Sequence, residues 1–131
     1  MNDFNELIHY RIKRAFETIK EAEIMIANYH WNASVNRIYY ACFYAVSALL
    51  LTKNISPSTH RGTRQMFGLH FVQKKLIPKN LAKYFNDLFD RRQSGDYDDF
   101  IQFDEPTTIQ LLNTGKEFIQ FIDNLIIQRY S

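Results

Sequence analysis

The segment from Val35 to Leu51 constrains this chain more than any other. Val35, Ile38, Cys42, Ala45 and Leu49 recur at helical spacing, and Tyr39, Phe43, Val46 and Leu50 form a second apolar stripe beside the first. A helix that is apolar on most of its sides has to be covered on most of its sides, so it belongs at the centre of a bundle. Ala41, Ala45 and Ala48 are small enough to let neighbouring helices approach closely. Asn36, Arg37 and three tyrosines interrupt the segment, which falls short of the roughly 20 apolar residues a membrane-spanning helix needs. It reads as a helix buried in protein, with no membrane segment expected.

The rest of the chain supplies the cover. From Phe4 to about Asn28, Ile8, Ile12, Ala15, Ile19, Ala22 and Ile26 alternate at spacings of four and three, while Arg11, Lys13, Arg14, Glu17, Lys20, Glu21 and Glu23 form a solvated face. Asn32 or Ser34 is a suitable cap for the central helix, which should run to about Lys53. Asn54 to Gly62 has the composition of a loop, followed by a short amphipathic stretch with Met66, Phe67, Leu69, Phe71 and Val72. Leu81, Tyr84, Phe85, Leu88 and Phe89 mark another helix, with Ser94-Gly95 as its expected stop and Asp96 to Asp104 as a loop. Asp104-Glu105-Pro106 has the order of a helix start, and Leu111, Gly115, Phe118, Ile122 and Leu125 continue from it. Only four glycines and three prolines punctuate the chain, too few for a sandwich or barrel. The expectation is one all-α domain over residues 1–131, an up-and-down bundle of about five helices.

Composition narrows the chemistry. A net charge of +2 does not describe a protein that coats nucleic acid, although a local basic site is compatible with it. Cys42 is the sole cysteine, which excludes an intrachain disulfide and a cysteine-only zinc cluster, and its place on the apolar stripe suits a small buried thiol. A reducing cytoplasm fits best, and Met1 to Tyr10 shows no basic segment leading into an apolar run. His9, His30, His60 and His70 form no HxxxH pair, so no metal is expected, and no cofactor motif is present. Phosphate-binding glycine loops and a GxSxG nucleophile motif are also absent.

Three places could carry function. The run Arg91-Arg92-Gln93-Ser94-Gly95-Asp96-Tyr97 sets two guanidinium groups beside a carboxylate and a phenol, and arginine holds phosphate bidentately without losing its charge. Arg91, Arg92 and Asp96 are the candidates for catalysis, and Tyr97 for ligand binding. The same arginines would also suit a salt bridge from Arg92 to Asp96 or the dipole of a helix end. His60 and Arg61 lie in the loop, where a solvated imidazole could bind an anion or exchange a proton, or where the histidine could simply cap the next helix. Arg37 and Tyr40 break the central apolar segment and could serve a binding groove or internal hydrogen bonds.

The segments RIYYACFYA (residues 37–45), THRG (59–62) and the arginine pair followed by Asp96-Tyr97 together resemble a HEPN domain protein of the small stand-alone prokaryotic kind. The resemblance spans nearly the whole chain in order. It implies a five-helix bundle that forms homodimers, is encoded beside a small nucleotidyltransferase partner in toxin–antitoxin pairs, and in many members cleaves RNA without metal. The family's catalytic motif is an arginine, a polar residue, a short spacer and a histidine, completed across the dimer. Arg91 or Arg92 matches the arginine. The histidine position falls near Asp96, and no histidine follows His70. A solvated aspartate titrates near 4, too acidic to exchange a proton readily at neutrality. RNA cleavage, nucleotide or RNA binding without cleavage, and a non-catalytic dimeric interaction module with the arginines in structural salt bridges therefore stand as alternative readings.

Overall fold

The computed structural model describes residues 3–97 and 102–130. Five helices follow one another: α1 (Asp3–Ala27), α2 (Trp31–Leu51), α3 (His60–Phe67), which continues into a π-helical turn (Gly68–Val72), α4 (Lys79–Tyr97) and α5 (Glu105–Tyr130). No strand occurs among the described residues, and no helix among them is long and apolar enough to cross a membrane. The architecture is the all-α bundle the periodicity called for.

α2 packs against each of the other four helices. Both of its stripes are buried, with Ile38, Tyr39, Ala41, Cys42, Ala45, Val46, Ala48, Leu49 and Leu50 all inaccessible to solvent. Burial also pushes the Cys42 thiol up to about 12, so at neutral pH it is a packing group and not a nucleophile. The α1 stripe lies over α2 as expected, with Ala15 and Ala22 fully buried. On the far side, Phe67, Phe85 and Phe118 join α3, α4 and α5, with ring centroids 5.4 Å apart for Phe67–Phe85 and 5.5 Å for Phe85–Phe118.

Gly115 is where α5 comes closest. A Cβ there would lie 2.9 Å from Tyr84 Oη and 3.2 Å from Ile38 Cγ2. Tyr84 cannot swing aside freely, because its ring is buried and its hydroxyl donates to the Leu111 carbonyl at 2.7 Å. The start of α5 is as read from Asp104: its Oδ1 accepts the Thr107 amide at 2.8 Å, and its carbonyl accepts the Thr108 hydroxyl at 2.7 Å. Bonds from Thr107 hold the Asp104 carboxyl below the usual carboxylate range.

Other helix ends differ from the sequence expectation. Asn32 and Ser34 do not cap α2, which starts at Trp31. Both lie inside the helix and bond across the bundle: Asn32 Oδ1 accepts the Phe103 amide at 2.9 Å, and the Ser34 hydroxyl donates to the Ala22 carbonyl at 3.0 Å. α2 stops at Leu51, short of Lys53, and α4 passes through Ser94-Gly95 to Tyr97. Glycine permits a left-handed stop without imposing one.

The left-handed stops are made by non-glycine residues. Tyr29, Asn54 and Lys75 have φ of 64°, 60° and 61°. Each sits in the same double-bonded end, in which the next residue's amide reaches back five positions: His30 to Met25 at 2.9 Å, Ile55 to Leu50 at 3.0 Å and Leu76 to Phe71 at 3.0 Å. Ile55 and Leu76 pack on the core immediately after their stops, so burial of the following side chain offsets the backbone cost.

Two outcomes follow from this packing. Gly115→Ala should lower stability in urea unfolding, since overpacking costs about 1–3 kcal/mol against about 1 kcal/mol regained in helix propensity. The loss should shrink in a Tyr84→Phe background, where the 2.9 Å contact is gone; equal losses in both backgrounds would contradict the packing account. Lys75→Gly should raise stability by about 0.5–1 kcal/mol, because it relieves a left-handed residue at an exposed position.

Candidate functional site

The THRG segment opens α3, and its local chemistry is that of a helix start. Thr59 has extended backbone (φ −127°, ψ 157°), and its Oγ1 accepts the Gly62 amide at 2.9 Å. The Thr63 hydroxyl donates back to the Thr59 carbonyl at 2.9 Å. A side chain at position 62 would press on Thr59 Oγ1 at 2.9 Å and on Pro57 Cβ at 3.3 Å, which accounts for the glycine. Thr59, and not His60, is thus the cap. His60 is the first residue of the helix.

This start turns the His60 imidazole inward. Its Nδ1 shares a hydrogen bond with the Tyr39 hydroxyl at 2.8 Å, and its ring stacks on Phe43 with centroids 4.2 Å apart and planes 14° from parallel. Tyr40 meets the same ring edge-on at 5.8 Å. Tyr39 is itself fully buried and touches Phe85 and Phe89 of α4. The half-buried imidazole is therefore anchored to the core through α2, unlike the solvated loop histidine of the sequence reading.

Arg61 and Arg64, one and four residues on from His60, both line the groove that faces Asn86 of α4. Arg64 Nη1 lies 2.9 Å from Asp90 Oδ1, and its guanidinium carbon is 4.3 Å from the centre of the Phe89 ring. That ion pair is largely exposed and contributes about 0–1 kcal/mol, a side-chain link between α3 and α4. Between the two helices runs an open groove of about 580 Å³, with Arg61, Arg64 and Gln65 on one wall and Asn86 on the other. Arg91 follows Asp90 directly and is exposed. The side chains of Arg92, Asp96 and Tyr97 lie outside the described residues, so a salt bridge between Arg92 and Asp96 lies outside them too.

The structure thus brings His60 and Tyr40 into contact and sets Arg61 on the groove that Asn86 of α4 also lines. Arg37 is elsewhere engaged, with its Nη1 3.5 Å from Glu21 Oε1 of α1. Among the described residues, no three histidine, cysteine, aspartate or glutamate side chains converge to hold a metal. Sequence reasoning did not single out Tyr39, Arg64 or Asp90. Arg64 lies one turn beyond Arg61, a spacing that could have marked both as one face.

The HEPN domain profile matches residues 8–125. This chain belongs to the HEPN domain family. A relative from Thermotoga maritima named "UPF0332 protein" is 37% identical over 96% of this chain and 96% of its own length. Two proteins of Methanocaldococcus jannaschii named "putative toxin" are 32% identical over 90% of this chain and 80% of their own length, and 33% identical over 94% and 89%. The HEPN assignment accounts for the order of the quoted segments and for the five-helix bundle.

Packing and exposure separate the two THRG side chains. His60→Ala should lower stability by about 1–2 kcal/mol, through the lost Tyr39 bond and the lost Phe43 stacking, whereas Arg61→Ala should stay within about 0.5 kcal/mol of the parent. Chemical unfolding of the two variants checks this. A neutral His60→Ala would return the imidazole to solvent.

Proposed function

We propose that this HEPN protein is the toxin-like member of a toxin–antitoxin-like pair, and that it binds RNA or a nucleotide through phosphate contacts at the end of α4. Family membership and the two archaeal relatives named "putative toxin" support the coarse reading. The observation that carries the site is the Arg64–Asp90 pair, since it fixes α3 beside the residue that precedes the arginine pair. The exposed Arg61 and Arg91 then add positive charge on adjoining helices, without a bulk positive charge on the chain.

In this reading Arg91 and Arg92 hold phosphate by bidentate contacts, Asp96 orients one of them, and Tyr97 stacks on a base or bonds to phosphate. Arg61 extends the anion contact along the groove. His60 is the candidate for proton exchange, its imidazole oriented by the bond to Tyr39. A metal-independent RNase would use it there, with the arginines stabilising charge that builds on the phosphoryl oxygens. The protein acts as a homodimer in the cytoplasm, with a small nucleotidyltransferase as its protein partner. The ion pairs Arg37–Glu21 and Arg64–Asp90 favour a second reading, a dimeric interaction module whose arginines are structural.

Incubating the purified protein with labelled RNA in the presence of chelator tests the two readings against each other. Parent, Arg91→Ala/Arg92→Ala and His60→Ala proteins, each checked for folding by circular dichroism, should be run side by side. RNA retention that weakens with salt and is lost in the double variant is the expected result, because phosphate contacts release counterions. Cleavage by the parent that His60→Ala abolishes while binding survives would assign the proton exchange. Retention and cleavage that are both absent, or both indifferent to the double variant, would overturn the site and leave the interaction module.

A further inference from the structure

A second concavity lies between α1, α2 and the segment leading into α3, apart from the α3–α4 groove. It encloses about 200 Å³, below the roughly 300–1,000 Å³ of pockets that bury a drug-sized ligand. Its walls carry Arg11 of α1, Phe43, Tyr44 and Ser47 of α2, and Ser56 of the connecting segment. The space suits a small anion or the end group of something larger.

Arg11 is the reason to expect an occupant. Its guanidinium is partly buried, and it makes one long hydrogen bond, from Nη1 to the Ser47 carbonyl at 3.5 Å, of the five it can donate. Among the described residues it has no carboxylate partner, whereas Arg14, one turn further along α1, pairs with Glu17 at 3.3 Å. Arginines withdrawn from water are ordinarily paired, because desolvation of a charge is costly without a counter-charge. Burial accordingly draws the Arg11 guanidinium below its ordinary value. Arg14, already paired, only borders the site: its guanidinium carbon is 5.5 Å from the centre of the Tyr44 ring that lines the concavity. The Ser56 hydroxyl at the rim can donate to an anion.

We propose that this concavity is an anion site that takes a tetrahedral oxyanion, a phosphate group, with Arg11 as its principal ligand. Free phosphate and the terminal phosphate of a nucleotide share this chemistry, and the concavity is too small to enclose a base as well. The site goes beyond the arginines at the end of α4 and stands or falls separately from them.

Isothermal titration of the full-length protein with inorganic phosphate, and separately with adenosine 5′-monophosphate, tests the proposal. Saturable binding of either is expected, weakened about tenfold or more by Arg11→Gln and preserved in Arg91→Ala/Arg92→Ala. Ser56→Asp sets a carboxylate at the exposed rim to compete for Arg11 and should weaken binding with the fold intact, which keeps the test sound should Arg11→Gln unfold. Equal affinities for the two probes would assign free phosphate; tighter binding of the nucleotide would assign its terminal phosphate, with the base outside. No saturable binding of either probe at millimolar concentration, or binding unmoved by both Arg11→Gln and Ser56→Asp, would overturn the site. Binding lost only in the α4 double variant would assign the phosphate to the proposed RNA face instead and likewise overturn it.

Discussion

The burial of α2 is the constraint on which the rest of this molecule depends. A helix with apolar side chains on most of its sides gains from water exclusion when those sides are covered, and here α1, α3, α4 and α5 each cover part of it. The cover has to be close. α5 gets close enough because position 115 carries no side chain, which lets Ile38 of α2 and the Tyr84 hydroxyl of α4 meet its backbone. The Tyr84 hydroxyl, buried at that crossing, is satisfied by the Leu111 carbonyl one turn earlier on α5. Removal of one side chain and placement of one hydrogen bond thus solve the same packing problem.

The aromatic face of α2 extends that constraint to the candidate site. Tyr39 is inaccessible, so its hydroxyl needs a partner inside the protein, and His60 Nδ1 supplies one. That bond and the stacking on Phe43 fix the first residue of α3, and Thr59 and Gly62 shape the backbone to suit. Once His60 is turned inward, the helical period sends Arg61 and Arg64 toward α4. Core satisfaction and the presentation of cationic groups are therefore consequences of one helix start.

How far this could be read in the sequence depends on the range of the interaction. The stripes of α1, α2 and α5 and the Asp104 cap are set by residues three or four apart, and all are visible as spacing. Asn32 and Ser34 have the composition of caps, but their partners Phe103 and Ala22 are brought near only by tertiary packing. The helix stops were hidden for a different reason: Tyr29, Asn54 and Lys75 adopt a conformation that glycine advertises, held there by backbone bonds and, at Asn54 and Lys75, by packing of the next residue on the core. His60 looked solvated because its neighbours in sequence are loop residues. Its neighbours in space are Tyr39, Tyr40 and Phe43. At the end of α4, the arginine pair and Asp96-Tyr97 were legible as a motif, and the resemblance they carried is the family the chain belongs to.

The arginines of the bundle can be sorted by what neutralises them, and the sorting separates scaffold from surface. Arg37 meets Glu21, and Arg64 meets Asp90 while lying over Phe89, so each ties one helix to another. Such partly exposed pairs add little stability, and the packed apolar faces set where the helices lie. Arg61 and Arg91 are exposed, and among the described residues neither forms an ion pair, which leaves their guanidinium groups available to an incoming phosphate. Arg11 fits neither group. Drawn partly out of solvent with a single long bond to a carbonyl, it keeps a charge that the fold leaves without a counter-charge among the described residues, and a charge retained on those terms is one that a ligand can neutralise.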